Sequence, residues 1–112
     1  VHGAFDMILA DVYWKMGITG MMKTVRACEA LHTRIASHHG ASPIMNVANL
    51  HCLCATSNAD FIEVLVPEEG SNYGLTAYPS IDAEGYVAVP KEPGLGIEID
   101  WDYVQGNLSS EL

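Results

Sequence analysis

Residues 8–39 read ILADVYWKMGITGMMKTVRACEALHTRIASHH, and their pattern decides the fold. An apolar run, Phe5 to Ala10, stops at an acid, Asp11. A short loop leads to Gly17, an amphipathic segment follows, and a second run, Arg34 to Ser37, stops at His38 and His39. Read as strand, loop, helix and strand, this places Asp11 and His38 just past the ends of two parallel neighbours joined by a crossover helix. Open ligand sites in parallel sheets form outside the carboxyl ends of strands. An acid beside a histidine at such a rim can work as a general acid–base pair.

Between those ends, Thr19 is the expected N-cap of a helix running to about His32. Met21, Met22, Val25, Cys28 and Leu31 recur at three- and four-residue spacing, with Lys23, Arg26 and Glu29 largely on the other side, so one stripe faces a sheet. Further on, Ser42 caps and Pro43 opens a second helix that reaches about Cys54. Phe61 to Val66, FIEVLV, is the third strand, with Glu63 embedded in it. An acid inside an apolar strand is costly unless it points into a wet or metal-bearing cleft.

The fold class is therefore α/β, a βαβαβ unit with 27 residues from Asp11 to His38 and 25 from His38 to Glu63. Such steps fit a (β/α)8 (TIM) barrel or an open doubly wound sheet. A whole barrel needs about 250 residues, so this chain supplies less than half of one. Residues 1–66 form that part. Residues 67–112 are a tail: a long loop over Glu68 to Ser80, short strands at Tyr86 to Val89 and Ile97 to Asp100, and frayed residues from Gln105 to Leu112.

At 112 residues the chain builds one domain with a modest core. Five basic residues against fourteen acidic ones give a net charge of −9, and the basic residues are scattered, which excludes the basic stripe that nucleic acid requires. Three cysteines are an odd number and favour free thiols in a reducing compartment. No apolar run reaches the roughly 18 residues of a membrane span. The expected location is cytoplasmic, with no membrane partner.

His38 and His39 are adjacent and point to opposite sides, so at most one of them enters the cleft. Trp14 and Lys15, in the loop after Asp11, and His39 are the candidates for touching substrate. His51, Cys52 and Cys54 do not aim at one centre from a helix and lack a partner pair of cysteines, so no metal is assigned there. The Gly94-Leu95-Gly96 turn is followed by neither a helix pattern nor GK[ST] and is not a phosphate loop.

Asp11 with Met16-Gly17-Ile18-Thr19, then Ser37-His38, Phe61-Ile62-Glu63, Val89-Pro90, Pro93-Gly94-Leu95-Gly96 and Asp100 form an ordered set. In that order and spacing the chain resembles the C-terminal part of the enolase superfamily, in its mandelate racemase and sugar-acid dehydratase branch. The resemblance implies a catalytic dyad of Asp11 and His38, with Asp11 orienting the imidazole, and Glu63 as the acid beside a substrate carboxylate. The muconate-lactonizing branch usually carries lysine where Asp11 stands. Met16 departs from the family, which commonly has a second glycine there.

The resemblance also implies Mg²⁺, held by three carboxylates on earlier barrel strands and not by this chain alone. The reaction it implies is removal of a proton alpha to a carboxylate, in a sugar-acid dehydratase before a racemase. The isolated chain is then expected to be inactive, completed either by a missing N-terminal barrel portion or by copies of itself as a homo-oligomer. The other reading is a non-catalytic binding or assembly module that retains a partial barrel.

Overall fold

A computed structural model describes residues 3–39 and 42–109. Ser110–Leu112, the last part of the stretch expected to fray, lie outside the described residues. Three parallel strands, β1 (Met7–Ala10), β2 (Arg34–Ser37) and β3 (Ala59–Ile62), stand in the order β1-β2-β3. Two helices, α1 (Gly17–Ala30) and α2 (Pro43–Cys54), make the crossovers. Both pack on one face of the sheet, where Met21, Val25 and Cys28 of α1 meet Ile35 and the α2 residues Ala48, Cys52 and Leu53. Ile8 and Ala10 face this core, so Leu9 between them faces the other side, where it is 56% exposed. Phe61 stands on that same bare face, 60% exposed, beneath the guanidinium of Arg34, which pairs with Asp60.

Helix α2 and strand β2 lie where the sequence puts them, with the Ser42 hydroxyl accepting from the Met45 N–H at 3.3 Å and Pro43 at the first position. Helix α1 begins two residues before Thr19. The preceding loop already winds helically, Lys15 N–H donating to the Asp11 carbonyl and Gly17 N–H to that of Val12, so the chain enters the helix with no side-chain cap. Its end comes at Ala30 rather than His32. His32 adopts a left-handed φ of 52°, Thr33 N–H reaches the Cys28 carbonyl and His32 N–H that of Glu29, a Schellman closure.

Strand β3 departs more. It starts at Ala59 and stops at Ile62, because β2 offers no ladder partner beyond Ser37, so Glu63 is the first residue past the strand and not embedded in it. Ile35 pairs with Ala59 but Ser37 with Ile62, leaving an extra residue in β3. This bulge turns both Ala59 and Ile62 to the core and steps Glu63 level with His38. In the tail, the expected strands shrink to single antiparallel bridges, Ile81 with Val87 and Leu75 with Ile99, separated by turns that give neither a second ladder partner. A 3-10 turn (Glu68–Gly70) precedes them, and a six-residue helix α3 (Trp101–Gly106), capped by the Asp100 carboxylate, occupies part of the segment expected to fray. No helix among the described residues is long and apolar enough to cross a membrane.

Two positions control how the loop after β1 meets α1. A Cβ at Gly20 would lie 1.5 Å from the Lys15 carbonyl oxygen, a backbone atom that cannot yield locally. Gly20→Ala is expected to cost about 2–4 kcal/mol by overpacking, read as a lower midpoint in urea unfolding. Met16 holds a left-handed φ of 61° with 92% of its surface exposed. That conformation costs a residue with a Cβ about 1–2 kcal/mol, more than the roughly 0.5–1 kcal/mol of added unfolded-chain entropy that glycine brings. Met16→Gly is therefore expected to raise stability by a few tenths to about 1 kcal/mol; an unchanged or lower unfolding midpoint would contradict this account.

Candidate active site

Asp11, His38 and Glu63 are each the first residue past their strand, β1, β2 and β3 respectively. The parallel order brings all three to one rim. Asp11 is 2% exposed, and a carboxylate so buried must be hydrogen-bonded on both oxygens to offset its desolvation. One oxygen, Oδ1, accepts from the Trp14 N–H at 2.7 Å, closing a local turn. The other, Oδ2, lies 3.0 Å from His38 Nδ1. An ionised carboxylate only accepts, so this contact selects the tautomer with hydrogen on Nδ1 and the ring's lone pair on Nε2. The His38 side chain is 51% exposed, so the ring is pinned at one edge and reachable from solvent.

Over the dyad lies a shallow pocket of about 270 Å³, lined by Leu9, Ala10, Asp11, Trp14, Lys15 and His38. Trp14 and Lys15, the loop residues expected to touch substrate, line this pocket. His39 does not line this pocket. It is buried, and its N–H donates to Glu63 Oε2 at 2.6 Å. The His38–His39 pair therefore holds both acids, the ring of one on Asp11 and the backbone of the other on Glu63. The Glu63 N–H also reaches the Ser37 hydroxyl at 3.4 Å.

Two buried asparagines of α2 complete the rim and were not singled out from sequence. Asn49 Oδ1 accepts from the Val12 N–H at 2.8 Å, and its Nδ2 donates to the His38 carbonyl at 3.0 Å. Asn46, one helical turn earlier, donates from Nδ2 to the Glu63 carbonyl at 3.0 Å and to the Tyr78 hydroxyl at 2.8 Å. The signal was present: two amides at i and i+3 of PIMNVANLHCLC, on a helix otherwise apolar nearly all round, must have buried partners. His51, by contrast, binds the Leu95 carbonyl through Nε2 at 3.1 Å and ties the tail to α2. Among the described residues no group of three or more His, Cys, Asp or Glu side chains converges as a metal ion requires. The Cys28 and Cys52 thiols are pushed up by burial.

Residues 1–103 match the family described as Enolase C-terminal domain-like. The chain is 29% identical over 96 residues to an arabinonate dehydratase of Saccharolobus solfataricus, covering 86% of this chain and 26% of that enzyme. It is 25% identical over 105 residues to a D-xylonate dehydratase of Haloferax volcanii, covering 94% and 26%. A crystal structure of a protein described as a mandelate racemase/muconate lactonizing enzyme, from Pseudovibrio sp., superposes with a TM-score of 0.88 at 28% identity, over 94% of this chain and 28% of that one. The chain thus spans about a quarter of the length of the curated relatives it matches.

The Tyr78 contact with Asn46 is open to a pH test. Burial pushes the Tyr78 phenol up from its ordinary value of 10.0; the Asn46 hydrogen bond opposes the shift and the Glu68 charge adds to it. A raised value in the fold favours neutral tyrosine there, so the contribution is complete below pH 10.0 and is lost as pH rises through the folded value. Tyr78→Phe is expected to cost about 1 kcal/mol at neutral pH, and the gap from wild type should narrow above pH 10. Urea unfolding at a series of pH values checks this; a gap constant across the series would contradict it.

Proposed function

The chain belongs to the enolase superfamily, as a C-terminal domain-like member, and from that premise we propose that the whole protein is a sugar-acid dehydratase in which Asp11 and His38 are the acid–base dyad. The carrying observation is the 3.0 Å contact between the buried Asp11 carboxylate and Nδ1 of a half-exposed His38 at the ends of adjacent parallel strands. The two curated relatives, arabinonate and D-xylonate dehydratases, favour dehydration over racemisation. In this reading the three strands are the last three of a (β/α)8 barrel, residues 67–112 are the return segment packing on a capping domain, and the substrate is a small sugar acid.

Dehydration takes the proton from the carbon bearing the carboxylate and expels the hydroxyl of the next carbon as water. Asp11 fixes the imidazole through Nδ1, so that Nε2 takes the proton from carbon or, once protonated there as imidazolium, gives a proton to the departing hydroxyl. Glu63, when it carries its proton, donates a hydrogen bond to the enediolate oxygen that gains charge as the carbon proton leaves. His39 holds Glu63 through its backbone. Lys15 supplies a positive charge for the anionic substrate, and Trp14 a flat wall for its carbon chain. Superfamily enzymes generally use Mg²⁺, which when bound supplies electrophilic stabilisation of such a charge. The described residues do not form a site for it, and in this reading its ligands lie on barrel strands outside this chain. Residues 1–112 alone are then inactive, and completion comes from the rest of the barrel.

Substituting His38→Asn in the full-length protein is expected to lower kcat on five-carbon aldonic acids about 10²–10⁴-fold, with little change in overall fold. Turnover is followed by 2-keto acid formation, and carbon-proton exchange by deuterium incorporation from solvent. Full retention of both would sink the assignment.

A further inference from the structure

Resting on the dyad reading above, we infer that Asn49 is a positioning residue for the Asp11–His38 pair. It touches neither carboxylate nor imidazole. Its amide instead holds the two backbones that carry them: Oδ1 takes the N–H of Val12, the residue after Asp11, and Nδ2 gives to the carbonyl of His38 itself. Both bonds run from a side chain with 0% exposure, so neither competes with water.

The need for such a bridge follows from the ladder. Pairing of β1 and β2 ends at Ala10 with Ser37, and the His38 N–H still reaches the Ala10 carbonyl. Beyond that point the two chains part, one into the loop toward α1 and the other toward α2, and strand pairing no longer fixes their separation. Beyond the Asp11–His38 contact itself, Asn49 is the hydrogen-bonded link between the two backbones there among the described residues. One planar amide, accepting at one end and donating at the other, sets the spacing of the Val12 and His38 backbones, and with it the reach of the ring to Asp11. Only asparagine suits this place: aspartate has no donor for the His38 carbonyl, leucine has neither group, and glutamine adds a methylene in a filled core. Helix α2 accepts two buried amides because Asn46 does the corresponding work at β3, holding the Glu63 carbonyl.

The test follows the His38 ring by nitrogen-15 NMR of the 112-residue chain, with thermal unfolding as a control. Wild type should show the Nδ1–H tautomer, its proton slowed in exchange with water. Asn49→Ala should still unfold cooperatively but lose the slowed Nδ1 proton and gain Nε2–H tautomer. Asn49→Asp, which keeps the acceptor for Val12, should show an intermediate loss. Val47→Ala, a core truncation on the same helix, should lower the unfolding temperature and leave the His38 signals in place. In the full-length protein Asn49→Ala should lower kcat about 10- to 100-fold with KM changed by less than about twofold.

A folded Asn49→Ala chain with unaltered His38 signals would overturn the inference. So would loss of cooperative unfolding in both Asn49 variants while Val47→Ala stays folded, since Asn49 would then serve folding and not placement. Asp11→Asn separates the two readings. If it leaves the His38 signals unchanged, the dyad itself fails; if it abolishes them and Asn49→Ala does not, only the role of Asn49 fails.

Discussion

A carboxylate with 2% exposure cannot be left to find its own partners, and the burial of Asp11 constrains much of what surrounds it. Its first oxygen needs the Trp14 N–H, which bends the loop after β1 into a helical turn. That turn carries the Lys15 carbonyl against Gly20, where only a residue without a Cβ fits, and it delivers the chain into α1 with Met16 in a left-handed conformation. The second oxygen needs the His38 ring. Because that ring is half-exposed, solvent screens the charge attraction, and the pair adds little to stability. Its consequence is orientation: Asp11 is placed by burial and by backbone, and the imidazole is then placed by Asp11.

A second constraint is the length of β2. With four residues it stops the ladder early on both sides, and the three strand ends then depend on side chains for their relative positions. The bulge in β3 corrects the phase so that Glu63 comes level with His38. Asn49 and Asn46, one turn apart on α2, take over where backbone pairing stops. Burying two amides in a helix core is unfavourable unless their polar atoms are matched, and three of the four are; Asn46 Oδ1 alone has no hydrogen-bond partner. The helix that closes the hydrophobic core is thus the same one that ties the rim together.

What could be read in the sequence depended on whether the signal was local. Ser42-Pro43 carries its own cap and first turn, so α2 was legible to the residue, and β2 is bounded by a helix end and two histidines. Asp11 and His38 were legible as strand-end residues because each follows a short strand-like run. The start of α1 was not, since no side chain marks it; a backbone turn anchored on Asp11 does. Glu63 read as embedded because FIEVLV continues apolar past the point where β2 stops, and a strand's length is set by its partner rather than by its own residues. The roles of Asn46 and Asn49 were hidden for a similar reason. Their partners are backbone groups and the Tyr78 hydroxyl, 11 to 37 residues away along the chain, which only the fold brings near.

The contacts of the rim also explain how much of the chemistry one such segment can hold. Among the described residues, the hydrogen bonds given above for Asp11 and His38 come from β1, β2, the loop between Asp11 and Trp14, and α2. The Asp11–His38 contact therefore sits within two consecutive strand–helix units. The opposite face tells a different story: Leu9 and Phe61 lie largely exposed beside an ion pair, an arrangement with no covering layer among the described residues. The face that α1 and α2 cover is thus the one from which Asn46 and Asn49 hold the rim residues.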